Sequence, residues 1–187
     1  MGAARPGSRP TGGLPMIRYH HARLSDAGGI ARVHTLGWQQ SYEGLMPANF
    51  LAERVIAPEL WAGRLGELSD GTTVWVAEDD DEVVGFCLVG PDADPQASPD
   101  RRRGRLYALY VLADHWGAGV GHRLHREGIR ALIDAGFASA VLWVLHTNTR
   151  AIAFYERQGW RDEHVCTEED VGGFVAREKR LGLDLGS

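Results

Sequence analysis

The stretch LYALYVLADHWGAGVGHRLHREGIRALIDAG, Leu106 to Gly136, decides how this chain folds. Leu106 to Leu112 is short, apolar and rich in aromatic and branched residues, which is strand composition. Three glycines at alternate positions follow, Gly117, Gly119 and Gly121. Val120, Leu124, Ile129, Leu132 and Ile133 then form one apolar stripe at helical spacing, and Gly136 stands where a helix C′ residue is expected. The unit reads as strand, glycine turn, helix. A tight turn needs fewer glycines than this. Without side chains the turn leaves its backbone open to a ligand, and the first N–H groups of the new helix have no intrahelical partner. Together with the helix dipole they make an anion site suited to a pyrophosphate.

Two familiar phosphate motifs do not fit. A P-loop ends in Lys-Ser or Lys-Thr, and neither pair occurs in the chain. The dinucleotide fingerprint needs glycine at 122, where His122 stands, and no alternating βαβ pattern precedes the turn. A nucleotide-binding domain therefore stays a rival reading only.

Outward from this unit the elements are regular. Met16 to Leu24 reads as a first strand, and Ser25-Asp26 supplies N-cap chemistry for a helix over Ala27 to Tyr42 carrying Ile30, Val33, Leu36 and Trp38. A second helix is expected over Pro58 to Leu68, with Gly71 beyond it. Thr72 to Ala77 and Val83 to Val89 read as a hairpin with an acidic, solvated turn. Pro91 to Gly104 has the composition of a loop, and the cluster Arg101, Arg102, Arg103 and Arg105 reads as a solvated face. Ser139 to Leu145 is another strand. Asn148 opens a helix that Gly159 ends, and Trp160 to Leu185 forms two β segments separated by Gly172-Gly173. The order β-α-α-β-β-β-α-β-α-β-β without repeats predicts an α/β fold.

Composition bounds the rest. The chain has 187 residues with 44% hydrophobic and 24% charged, so one compact domain over 16–187 is expected. Residues 1–15 contain four glycines and three prolines with no acid or aromatic, and read as a disordered tail rather than a secretory signal. A formal net charge of −5 disfavours nucleic acid and anionic membranes as partners. No run of about 18 apolar residues suggests a membrane span. Cys87 and Cys166 lie in strand-like runs without metal-ligand spacing, which suits reduced thiols and a cytoplasmic setting. His122 and His125 stand at i, i+3 on a helix face expected to be exposed, with no carboxylate to complete a metal site, so no metal is expected.

The central unit also resembles a family. Leu109-Tyr110-Val111 followed by Trp116-Gly117-Ala118-Gly119-Val120-Gly121 is similar to the (Q/R)-x-x-G-x-(G/A) acyl-CoA signature of the GNAT N-acetyltransferase superfamily. Asn148 to Trp160, NTRAIAFYERQGW, is similar to its second motif, N-x-x-A-x-x-F-Y-x-x-x-G-(F/W). The two stand in the family order with a strand between them, and the element order matches from Ile17 to Leu185. The resemblance implies a mixed sheet of about seven strands with about four helices, and acetyl-CoA as cosubstrate.

It also implies roles. The backbone of Leu109, Tyr110 and Val111 would bond the pantetheine arm and the thioester carbonyl, and the N–H groups of Gly117, Ala118, Gly119, Val120, Gly121 and His122 would cradle the pyrophosphate. The family's Gln or Arg is Trp116 here, so one side-chain contact is lost. Tyr155 would protonate the departing sulfur. On a helix, adjacent Phe154 and Tyr155 point about 100° apart, and Phe154 is the better core residue, leaving Tyr155 for the site. Asn148 is a helix cap that can also touch the pantetheine arm. Trp38 and Tyr42, one helical turn apart beside Glu43, line the region where this family builds its acceptor pocket; packing in the core is the competing role. Many relatives carry a glutamate near the start of the Leu106 strand, where this chain has Gly104-Arg105-Leu106-Tyr107. Tyr107, Glu43, Glu78 and His146 are candidates for the missing base, and none is preferred. The expected activity is acetyl transfer from acetyl-CoA to the primary amine of a small molecule or peptide, by direct attack in a ternary complex. The rival is an acyl-CoA-binding module without catalysis. The late β segments offer edges for a homodimer.

Overall fold

The computed structural model of the chain describes residues 16–93, 102–170 and 174–186. The expected tail 1–15, Arg101 and the Gly172-Gly173 turn lie outside the described residues. Seven strands, β1 (Arg18–His21), β2 (Thr73–Asp79), β3 (Glu82–Pro91), β4 (Arg103–Val111), β5 (Ser139–Leu145), β6 (Arg161–Asp170) and β7 (Val175–Asp184), form one sheet in the order β1-β2-β3-β4-β5-β7-β6. Every neighbouring pair is antiparallel except β4 and β5. A parallel pair needs a crossover, and α4 (Val120–Asp134) supplies it.

The helices divide between the two faces of the sheet. On one face α1 (Ala27–Tyr42) and α3 (Pro58–Gly66) bury Ile30, Val33 and Trp61 against Val74, Val76, Phe86 and Leu88. On the other, α4 and α5 (Thr149–Arg157) bury Leu124, Leu132 and Tyr155 against Cys87, Val89, Leu142 and Leu181. The mixed seven-stranded α/β architecture agrees with the expectation, with one short helix, α2 (Ala48–Glu53), that the sequence reading did not contain.

Several boundaries differ for identifiable reasons. The first strand is only Arg18–His21, because Leu24–Asp26 turns into a 3-10 segment. Asp26 does not cap α1 with its side chain; its carboxylate accepts from the Arg23 backbone N–H at 2.7 Å instead. The Pro91 to Gly104 loop is shorter than expected: β3 reaches Pro91 and β4 begins at Arg103, whose guanidinium bonds Asp92 at 2.6 Å. On α4 the stripe is Val120, Leu124, His125, Gly128 and Leu132, while Ile133 is exposed. Gly128 lets the helix press on the sheet, since a Cβ there would lie 2.7 Å from the Cys87 sulfur. His125, expected on an exposed face, is buried.

Each face of the sheet contains an imidazole, buried at His125 and half-buried at His34, that accepts from a buried indole. Trp160 Nε1 donates to His125 Nε2 at 2.8 Å, and Trp61 Nε1 donates to His34 Nδ1 at 3.3 Å. Burial lowers both imidazoles to about 4, with the His122 charge assisting at His125 and the Arg64 and Arg54 charges at His34. A histidine depressed in this way favours its neutral form in the fold. Its contribution is complete above the unfolded value of about 6.5 and is lost as pH falls towards the folded value.

Stability should therefore fall between about pH 6.5 and pH 4, at up to about 1.4 kcal/mol per pH unit for His125 alone. Urea unfolding at stepped pH measures this, and His125→Gln, which keeps an acceptor for Trp160 and removes the titration, should flatten the slope. A second expectation concerns packing. Gly128→Ala should cost about 1–3 kcal/mol by overpacking, and Cys87→Ala in the same chain should recover part of the loss. Strictly additive losses in unfolding midpoints would remove this contact as the cause.

Candidate active site

The site begins where two strands separate. β4 and β5 pair only at Arg103–Ser139, Gly104–Ala140 and Arg105–Val141. Immediately beyond, the register of β4 on β3 shifts, with Leu88 opposite Ala108 and Val89 opposite Leu106, so Tyr107 is an extra, bulged residue. A bulge bends its strand and increases its twist. Past it, β4 stays paired with β3 up to Val111 while β5 pairs with β7, and a cleft opens between them. The bulge also resets alternation. Arg105, Ala108 and Tyr110 share the α1 side, while Leu106, Leu109 and Val111 pack on the α4 side.

Two cavities occupy the cleft. The larger, of about 460 Å³, runs from Leu109 and Val111 along the turn before α4 to the first turns of α5. The smaller, of about 200 Å³, lies under the C-terminal end of α1. Ser41, Leu109, Asn148, Ala151 and Tyr155 line both, so the cavities meet at these five side chains.

The floor of the larger cavity is the glycine turn. Gly117 and Gly119 have φ of +75° and +81°, in the left-handed region that side chains disfavour, and a Cβ at either would meet open space. The first amide of α4 with an intrahelical acceptor is Arg123, bonded to Gly119 at 3.0 Å. The N–H groups of Val120, Gly121 and His122 precede it and are the free first-turn donors. Trp116 ties this loop to the cleft, its Nε1 donating to the Val111 carbonyl at 2.7 Å. Its ring lies 3.5 Å below the Arg150 guanidinium, and Arg150 lines the cavity. Where the sequence reading had a lost side-chain contact at Trp116, a cation stands beside it.

Tyr155 is 9% exposed, against an expectation that Phe154 would be the core member of the pair; Phe154 is the more exposed of the two. Burial, then the neighbouring Cys87 and Tyr42, pushes the Tyr155 phenol far above its ordinary value, so it stays protonated. Asn148 is buried and accepts from the Ala151 N–H at 3.1 Å, capping α5.

In the smaller cavity the Trp38 and Tyr42 rings pack at 4.9 Å with their planes tilted by 57°, and the Tyr42 side chain interacts with Tyr110. Two charged side chains line this cavity, Arg105 on β4 and Glu178 on β7. Burial raises the Glu178 carboxyl, Glu169 adds to this, and Arg105 opposes it. The Arg105 guanidinium lies 4.9 Å over the Tyr107 ring, and its Nε is buried without a hydrogen-bond partner.

The expected residues thus gather closely. Leu109, Val111, Gly117, Gly119, Val120, Gly121, His122, Asn148 and Tyr155 line the larger cavity, and Trp38, Tyr42 and Tyr110 the smaller. Ala118 lies in the turn without lining either. Of the four candidate bases only Tyr107 lines either of these two cavities. Glu78 is paired with His20 and Arg18, and the His146 ring with the Arg177 carbonyl. Arg150 and Glu178 were not singled out from sequence. Arg150 sits inside the NTRA segment, and its contact with Trp116, 34 residues earlier, becomes visible only in the fold. Glu178 is one of several charges in AREKR, without a pattern to separate it.

Comparison with known proteins agrees with this geometry. Residues 35–160 match the acetyltransferase (GNAT) family model. An uncharacterized N-acetyltransferase of Bacillus subtilis, YuaI, is 30% identical over 171 residues, covering 89% of this chain and 92% of its own. An uncharacterized N-acetyltransferase of Archaeoglobus fulgidus is 32% identical over 146 residues, covering 78% and 93%. Among solved structures, the PaiA N-acetyltransferase of Thermoplasma acidophilum in complex with coenzyme A shares the fold with a TM-score of 0.70 at 17% identity, over 90% of this chain and 98% of that one. The chain belongs to the GNAT family of acetyltransferases and is, by that membership, an acyltransferase.

Proposed function

We propose that the protein transfers the acetyl group of acetyl-CoA to a primary amine by direct attack in a ternary complex. The observation that carries this reading is the meeting of two cavities at Tyr155, one ending on a glycine-walled helix N-terminus and one under α1. The CoA complex of the Thermoplasma protein supports the assignment of the larger cavity. The residues present fit that group. First-turn N–H groups and the Arg150 guanidinium suit its phosphates, and the unpaired edge of β4 suits the amides of its pantetheine arm.

The reaction balances simply. The acceptor ammonium loses one proton, its nitrogen attacks the thioester carbonyl carbon, and the C–S bond breaks as the tetrahedral intermediate collapses. The thiolate takes a proton from the Tyr155 hydroxyl, and the second proton of the attacking amine leaves to restore it. Main-chain N–H groups of β4 beside Leu109 stabilise the oxyanion. A phenol kept neutral by burial remains a donor throughout the physiological range. The unit acts as one domain over 16–187, in a cytoplasmic setting, and β6, one of the two edge strands, offers a surface to a homodimer.

Tyr155→Phe should lower kcat about 10²-fold or more with little change in the KM for acetyl-CoA, because it removes the proton donor and keeps the ring. Unchanged kcat would take Tyr155 out of this role. Gly119→Val should abolish CoA binding measured by calorimetry, since it combines a disfavoured φ with a branched side chain facing the phosphates. Thiol release from acetyl-CoA with a panel of amines separates the enzyme from a binding module: CoA binding with no turnover for any amine at any pH would favour the module. Tight NAD binding with none for CoA would favour a nucleotide-binding domain.

A further inference from the structure

The smaller cavity has an unusual charge pattern for its size. Among the described residues its lining holds one cation, Arg105, and one anion, Glu178, in about 200 Å³, with the aromatic Trp38, Tyr42, Trp143 and Tyr107 among its walls. The two do not close on each other: no salt bridge or hydrogen bond joins them, and they interact only through space. The Arg105 Nε is buried with its hydrogen unsatisfied. Leaving such a donor unmade is unfavourable, and so is desolvating two opposite charges without contact. A bound group that meets both charges would relieve these costs.

The strand geometry keeps the two charges apart. Arg105 is the last β4 residue paired with β5, and the bulge at Tyr107 follows it. Tyr107 donates to the Pro91 carbonyl and lies under the guanidinium, so Arg105 is held on its own strand. Glu178 sits on β7 opposite Leu145, on the far side of β5. A guanidinium offers a fork that matches a carboxylate, and a partly desolvated carboxylate is a receptor for an ammonium.

We propose that the acceptor is a small amino-carboxylate, such as a free α-amino acid, with its carboxylate on Arg105 and its amine between Glu178 and the cavity mouth at Tyr155. This rests on the acetyltransferase reading above and names the substrate of that same site. Glu178 receives one proton of the bound ammonium, which frees the nitrogen for attack, and releases it to solvent after the product leaves. The aromatic walls take an apolar side chain. A peptide N-terminus has its carboxylate replaced by an amide and leaves Arg105 unsatisfied.

The experiment uses the full chain, acetyl-CoA and thiol release with three matched sets: free amino acids, the same amino acids as amides, and the corresponding decarboxylated amines. Free amino acids should be preferred in kcat/KM by about tenfold or more over both others, the range expected from one charge-assisted bidentate contact. Arg105→Met should remove that preference by raising the KM for the free acid far more than the KM for the amine. Arg105→Lys, which keeps the charge and loses the fork, should fall between and guards against a folding defect. Glu178→Gln should lower kcat/KM for all three sets while the KM for acetyl-CoA stays the same. Equal use of acids, amides and amines, or an equal effect of Arg105→Met on all, overturns the proposal and leaves acetyl transfer standing. Turnover with amides or amines alone does the same. Acetyl-CoA that binds with no turnover in any set overturns this acceptor class, and acetyl-CoA that fails to bind overturns the acetyltransferase reading itself.

Discussion

Three residue pairs decide the architecture of the site. β4 and β5 share a parallel ladder only from Arg103 to Arg105 and then part. A parallel pair that ran to the end of both strands would satisfy the β4 edge and close the sheet. Stopping it leaves main-chain donors and acceptors facing a cleft, and those groups are obliged to find partners. The bulge at Tyr107 makes the parting local, because the extra residue falls directly after the last shared pair. Under the proposed function, ligand binding is thus the completion of an interrupted ladder, and the crossover through α4 brings a helix N-terminus to the same gap.

The bulge has a second effect, on chemistry rather than shape. In an uninterrupted strand Arg105 and Tyr110, five apart, would face opposite sides. One added residue puts both on the α1 side, while Leu109 and Val111 stay with the α4 core. The polar cavity and the apolar lining of the larger one are therefore drawn from alternate positions of a single strand. Trp116 reinforces the division. Its indole spends its donor on Val111, and its face carries Arg150, so a position lacking a charged side chain still contributes a cation by stacking.

Most of the fold was legible because its signals are local. The run of Leu106 to Leu112, the glycines after it and the stripe of α4 identify strand, turn and helix without tertiary information. What escaped depended on partners distant in sequence. The start of β4 at Arg103 is set by Asp92 across the hairpin, and the burial of His125 by Trp160, 35 residues on. Periodicity ranks histidine as polar and glycine as neutral, so the stripe through His125 and Gly128 is missed and Ile133 is taken in, while Ile129 does pack against the core. The site shows the same divide. Residues carried by the two motifs converge on one cavity, whereas Glu178 reaches the other through β7, a strand whose alternating charges mark a surface in sequence and a cavity wall only once β5 stands beside it.

Tyr155 shows how tightly stability and chemistry are joined here. Its ring packs at 5.2 Å from Phe154, 6.0 Å from Trp160 and 6.4 Å from His125, within the cluster that fastens α4 and α5 to the sheet. Such packing removes the freedom that an exposed tyrosine would have, which favours a single orientation at the junction of the two cavities. The same burial keeps the hydroxyl protonated. A surface tyrosine could reach the cleft, but it would lose both the fixed direction and the protected proton. Placing the proposed donor inside the core rather than beside it meets both requirements with one side chain, and under that proposal His125 and Trp160 are supports of the site although neither lines it.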